Sequence, residues 1–163
     1  MFRSISVLIA LIPILCWAQL DPSKKYSVNT IAFYNVENLF DTLDDPKTFD
    51  DDRTPNGRDK WTEDIYLKKS KNIARVISEI GKDIVGTSPS IIGLCEVENK
   101  KVLIDLINNK ELKNQGYGIV HFDSPDERGV DVGLLFNTNR FTPIFTKAYS
   151  LYLKRENGET DFT

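Results

Sequence analysis

The sequence predicts an α/β fold, a mixed β-sheet with helices packed on one face. Three observations point to it. Apolar segments alternate in kind, giving the order strand–helix–strand–helix–strand. Further strand-like segments then follow one another with no helix between them, so not every strand is parallel. Finally, 40% hydrophobic and 28% charged residues is the composition of an ordinary globular domain, which excludes disordered, collagen-like and disulfide-scaffold chains.

Residues 28–36 (VNTIAFYNV) are β-branched and aromatic and read as a buried strand. Residues 41–60 are rich in Asp, with two Pro and one Gly, and read as a long surface loop. A helix then begins. Thr62 suits its N-cap, Glu63 and Asp64 place negative charge in its first turn, and Trp61 with Tyr66 suits a hydrophobic staple. Ile73, Val76, Ile77 and Ile80 form one apolar stripe, and Gly81 suits the stop. Residues 90–97 (SIIGLCEV) are a second buried strand. Val102, Leu103, Leu106 and Ile107 repeat the helical spacing. Residues 117–122 and 130–136 read as a third and a fourth strand around a turn at 123–129. Residues 141–153 hold one or two more, and Asn157-Gly158 signals a hairpin whose second strand barely begins before Thr163.

The first residues read as an export signal. A short basic start at Met1–Arg3 precedes the apolar run Ser4–Leu15, and Cys16-Trp17-Ala18 places small residues at −3 and −1 of a cleavage site before Gln19. The run is shorter than the ~20 apolar residues of a membrane span. The expectation is therefore a signal peptide at 1–18, a secreted or periplasmic mature protein at 19–163, and no membrane anchor in the mature chain. Leu15 before Cys16 argues against lipidation. Cys95 is then the single remaining cysteine, so no intramolecular disulfide can form. A net charge of −3 also lacks the broad basic footprint of an obligate nucleic-acid binder, while leaving room for a small enzyme site with a local field of its own.

Polar groups gather at two strand ends, Asn35-Val36-Glu37-Asn38 and Glu96-Val97-Glu98-Asn99. Ligands of open α/β sheets collect at the carboxyl ends of strands. Carboxylate and amide oxygens suit Mg²⁺, with Mn²⁺ the second choice, and no His/Cys set exists for zinc. Alone, either cluster reads first as strand-end and capping residues facing solvent, because polar residues commonly end strands.

Taken in order, the segments IAFYNVENLFD (31–41), SIIGLCEVEN (90–99) and SPDERGVDVGLLF (124–136) resemble the endonuclease/exonuclease/phosphatase superfamily, which has the deoxyribonuclease-I-like fold. The resemblance covers about residues 27–155. It implies a mixed-sheet β-sandwich flanked by helices, here as its N-terminal part only, since the fold wants roughly 250 residues. It implies a metal-dependent phosphoesterase, an endonuclease or general phosphodiesterase acting by in-line attack of water on a phosphodiester, nucleic acid among the candidates. By it Asn35 and Glu96 become metal and phosphate contacts, and Asn35, Glu37 and Arg128 the catalytic residues. A guanidinium at Arg128 is placed either to hold phosphate bidentately or to pair with Asp126 or Glu127 at the surface. Asp131, inside its strand, needs a partner, and Arg128 is the nearest in sequence.

The family's Gly-Asp-Phe-Asn and Ser-Asp-His segments, which carry the water-activating Asp and a phosphate-stabilising His, do not occur in these residues. The expectation is that 1–163 is inactive alone. The alternative is an exported, non-catalytic or truncated binding module of the same fold. His121, the single His, reads as an exposed or hydrogen-bonded strand residue rather than a substitute. Asp52, Thr54, Asn56, Gly57 and Glu63 nearly match a calcium loop, although no helix precedes it. Lys68, Lys69, Lys71 and Arg75 read as a solvated helix face before a phosphate groove, and Cys95 as a small buried hydrophobe.

Overall fold

The protein is described from a computed structural model, which covers residue 21 and residues 23–149, 152–154, 158 and 160–162. The export signal expected at 1–18 lies outside the described residues. The elements are β1 (Ile31–Leu39), α1 (Glu63–Glu79), α2 (Lys82–Val85), β2 (Ile91–Val97), α3 (Lys100–Ile107), β3 (Tyr117–Phe122), β4 (Asp131–Asn137), β5 (Tyr152–Lys154) and β6 (Thr160–Phe162), with a 3-10 turn at Asp51–Arg53 inside the 41–60 loop.

β1 to β4 form one mixed sheet in the order β1-β2-β4-β3, parallel between β1 and β2 and antiparallel elsewhere. β5 and β6 pair antiparallel as a separate hairpin around Gly158, as the Asn-Gly signal predicts. Of residues 141–153, expected to hold one or two strands, 141–149 form none and β5 begins at Tyr152.

Helix α1 starts where the charge pattern puts it. Thr62 holds the extended backbone of an N-cap but makes no capping hydrogen bond. Ile73, Ala74 and Ile77 are buried in its inward stripe, while Val76 and Ile80 lie at the margin. Gly81, at φ +69°, makes the left-handed exit, and a side chain there would collide with Thr30. α3 is capped by Asn99, whose Oδ1 accepts the Val102 N–H at 3.0 Å. Its Val102, Leu103 and Leu106 are fully buried against Ile92 and Leu135 of the sheet. Each such side chain contributes about 1.5–3 kcal/mol by leaving water. Gly133 is what lets α3 come so close, because a Cβ there would sit 2.6 Å from Leu103 Cδ1.

Both helices cover the same face. On the other, Ile31 (60% exposed), Phe33 (86%) and Val132 (62%) stand out, with Phe122 beside them. The sheet therefore has one dry face and one open apolar face.

Candidate active site

The two polar strand ends meet because β1 and β2 run parallel with Asn35 opposite Cys95. Beyond that pair both strands lose regular register. In β2, Cys95 and Val97 face consecutive residues of β4, Val132 and Asp131, so Glu96 is the extra residue of a bulge. Strict alternation would have sent Glu96 to the same buried side as Ile92 and Leu94. The bulge turns it out and lets Val97 take the buried place. In β1 the inward alternation of Tyr34 and Val36 resumes only at Leu39, with Glu37 and Asn38 between. This explains why the strand extends to Leu39 and not only to Val36.

Glu37 (φ 55°), Asn38 (φ 63°) and Glu96 (φ 63°) are all in the left-handed region, which side-chain-bearing residues avoid. Backbone strain of this sort gathers at functional sites and persists only where surrounding contacts enforce it. Here those contacts are visible. Asn35 Nδ2 donates to Glu96 Oε1 at 2.8 Å, and Asn35 Oδ1 accepts the Glu37 N–H at 2.7 Å. Lys69 of α1 donates to the Glu37 carbonyl and lies 5.7 Å over the Trp61 ring. The Trp61 indole N–H in turn donates to the Phe40 carbonyl at 3.0 Å.

Lys69 is thus part of the site and not a member of a solvated helix face. Burial holds its ammonium below the usual lysine range, opposed by the nearby Glu37 and Glu96 carboxylates. It lines a groove of about 370 Å³ with Tyr34, Glu37, Trp61 and Lys68.

Arg128 is forked onto Asp126, Nε to Oδ1 at 3.0 Å and Nη2 to Oδ2 at 2.7 Å, with its own N–H on Oδ1 at 2.8 Å. Asp126, and to a smaller extent Glu96, keeps the guanidinium more firmly charged. The surface pairing is therefore realised, on the Glu96 side of the molecule. Arg128 does not partner Asp131. That carboxylate is buried, accepts the Ser124 N–H at 2.7 Å, and has His121 Nε2 at 2.9 Å. Loop closure, not sequence proximity, selects the partner, because β3 and β4 are paired and bring His121 opposite Gly133.

In the loop 41–60 the side chains of the calcium-like pattern are turned to partners within the chain. Asp52 pairs with Arg58 at 3.0 Å, Thr54 Oγ1 is used by Asp51 and Gly57, and Glu63 accepts from Thr42. Cys95 is half-buried rather than buried, since it lies on the open sheet face.

Glu98, which the sequence shows only as one member of the polar strand end 96–99, has a perturbed carboxyl. It accepts the Asp41 N–H, and burial together with Asp41, Asp50 and Asp45 pushes its carboxyl up to about 7 despite that bond.

The Asn35–Glu96 pair suits a divalent cation. Its donors are hard oxygens: Glu96 Oε1 accepts from Asn35 Nδ2 and Asn35 Oδ1 from the Glu37 N–H, while the second Glu96 oxygen has no hydrogen-bond partner among the described residues and Asn35 Oδ1 keeps a second lone pair.

Across residues 30–161 the sequence fits the profile of the Endonuclease/Exonuclease/phosphatase family. The chain belongs to that family. Membership places it, at family level, among hydrolases of the nuclease and phosphatase type, which are typically dependent on a divalent metal. The mixed sheet with α1 and α3 on one face is consistent with part of the family fold. No curated protein and no solved structure matches the chain. No helix among the described residues is long and apolar enough to cross a membrane.

Proposed function

We propose that the chain carries the metal- and phosphate-binding part of a Mg²⁺-dependent phosphodiesterase of this family, with nucleic acid as the leading substrate. One observation supports it above the rest. Asn35 and Glu96, far apart in sequence, are hydrogen-bonded to each other at adjacent strand ends on a strained backbone. Glu96, with the Asn35 amide oxygen, would hold the ion. Bound there, Mg²⁺ would supply charge stabilisation to the phosphoryl oxygens.

The remaining residues bind and orient. Asn35 fixes the Glu96 carboxylate in place. Lys69 adds positive charge beside the Glu37 carbonyl, where it can meet a phosphate oxygen. Arg128, although held by Asp126, presents its exposed guanidinium on the same side, suited to a second phosphate contact. The Glu37 carboxylate is exposed at the groove rim and free to orient water.

The test is cleavage of plasmid DNA, RNA and a bis-aryl phosphate with and without EDTA, by the complete protein in parent and Glu96→Gln forms. Metal-dependent cleavage that falls most steeply for Glu96→Gln at limiting Mg²⁺ is expected. Unchanged rates in that variant would remove Glu96 from the site. No metal-dependent cleavage of any of the three would leave a binding module.

A further inference from the structure

We infer a second divalent-cation site, separate from the Asn35–Glu96 pair, made by His121, Asp131 and Asp123 at the edge of an acidic pocket. Each of these residues offers a ligand atom, and the three atoms lie within 4.8 Å of one another.

The imidazole carries the argument. Its side chain is only 5% exposed, and Nε2 has no hydrogen-bond partner. The Asp131 Oδ2 atom is 2.9 Å away, but off the axis along which an N–H donates. A buried polar atom left in this condition is costly unless something else satisfies it. A shared ion does so. With metal–ligand bonds of about 2.1 Å, a 2.9 Å separation subtends roughly 90°, whereas a tetrahedral ion would need about 3.4 Å. The geometry therefore suits a first-row ion with nitrogen and oxygen ligands completed by water, Zn²⁺ in an expanded coordination among them, rather than a closed tetrahedral structural zinc.

The surroundings agree. Asp131 Oδ1 is fixed by the Ser124 N–H, leaving Oδ2 free to turn to the ion. Asp123, almost fully exposed, lies 3.8 Å from Nδ1, the other ring nitrogen, and its side chain has room to swing across to the Nε2 side as a third donor from solvent. The adjoining pocket, about 260 Å³, is lined by Asp45, Glu98, Asp123, Asp126 and Asp131 against the single cation Lys47. That field concentrates divalent ions. Among the described residues the only other buried polar side-chain atom without a partner is Asp50 Oδ1, and Asp50 is tied by its second oxygen to Asp45 of the same pocket. An ion at His121 and Asp131 would pin the turn 123–130, which carries Arg128.

His121 is the single His of the chain, which makes the experiment direct. Tag-free protein with ¹⁵N-labelled histidine is titrated with Zn²⁺, which is diamagnetic and accepts imidazole. One equivalent is expected to move the Nε2 resonance to a metal-bound position. Asp131→Asn should weaken Zn²⁺ binding about tenfold or more. Glu96→Gln should leave the Nε2 shift intact, even if it destroys the Asn35–Glu96 site. An Nε2 resonance unmoved by excess Zn²⁺ in the parent protein would overturn the inference, with no variant needed. Loss of the shift in Glu96→Gln would also overturn it, assigning the ion to the first site.

Discussion

Replacing Glu37 by glycine is expected to leave a more stable protein than replacing it by alanine, the reverse of their usual order within a strand. Both variants lose the carboxylate, so its charge cancels from the comparison. Both keep the two contacts made by the Glu37 backbone, its N–H to Asn35 Oδ1 and its carbonyl to Lys69. What differs is the Cβ at φ 55°. A Cβ in the left-handed region costs roughly 1–2 kcal/mol. The greater freedom of glycine in the unfolded chain returns about 0.5–1 kcal/mol in the other direction. The difference favours glycine by about 0.5–1 kcal/mol. For a chain of this size that corresponds to a gap of about 1–4 °C in melting temperature. Paired thermal melts, supported by urea midpoints, measure it. An alanine variant that melts at or above the glycine variant would refute the left-handed assignment and the strain argument built on it.

Two other outcomes follow from the same structure. Glu98 is an acid raised from 4.5 to about 7, so between those values the folded chain holds a proton that the unfolded chain has lost. Stability should therefore fall as pH rises through that window, by at most ~3 kcal/mol, and Glu98→Gln should flatten the slope. Equal urea-midpoint slopes in parent and variant, from about pH 4.5 to 7, would count against this. The open face bearing Ile31, Phe33 and Val132 should drive self-association and dye binding. Phe33→Ser should reduce both in sedimentation and fluorescence measurements. A strictly monomeric parent that binds no apolar dye would contradict the exposure of that face.

Much of the fold was readable from periodicity. The stripe Ile73–Ile77 and the runs around Ile92 and Leu135 mark their elements because each has one buried side, and burial imposes a period. The strand ends were harder. Asn35 and Glu96 stand out as polar residues closing apolar runs, but nothing in the chain announces the bulge that turns Glu96 outward, since the left-handed positions hold Glu and Asn instead of glycine. Lys69 was misread for a related reason. Helical spacing tells which side of α1 is apolar, not which loop lies across its polar side, and there the 37–40 segment descends onto it. The Asp131–His121 pairing is likewise set by strand register, which brings together residues ten positions apart across a turn that the sequence reads only as a turn.

The bond between Asn35 and Glu96 joins residues 61 apart in the chain. Nothing local holds either side chain near the other; both depend on β2 docking beside β1 after α1 has been laid down between them. Long-range parallel pairing of this sort closes slowly, because the loop entropy is lost before the contacts repay it. The site should therefore be among the last features to assemble during folding. It should also be among the first to vanish when the β1–β2 register slips, so metal affinity would report the integrity of that one strand pair more sharply than helix content does.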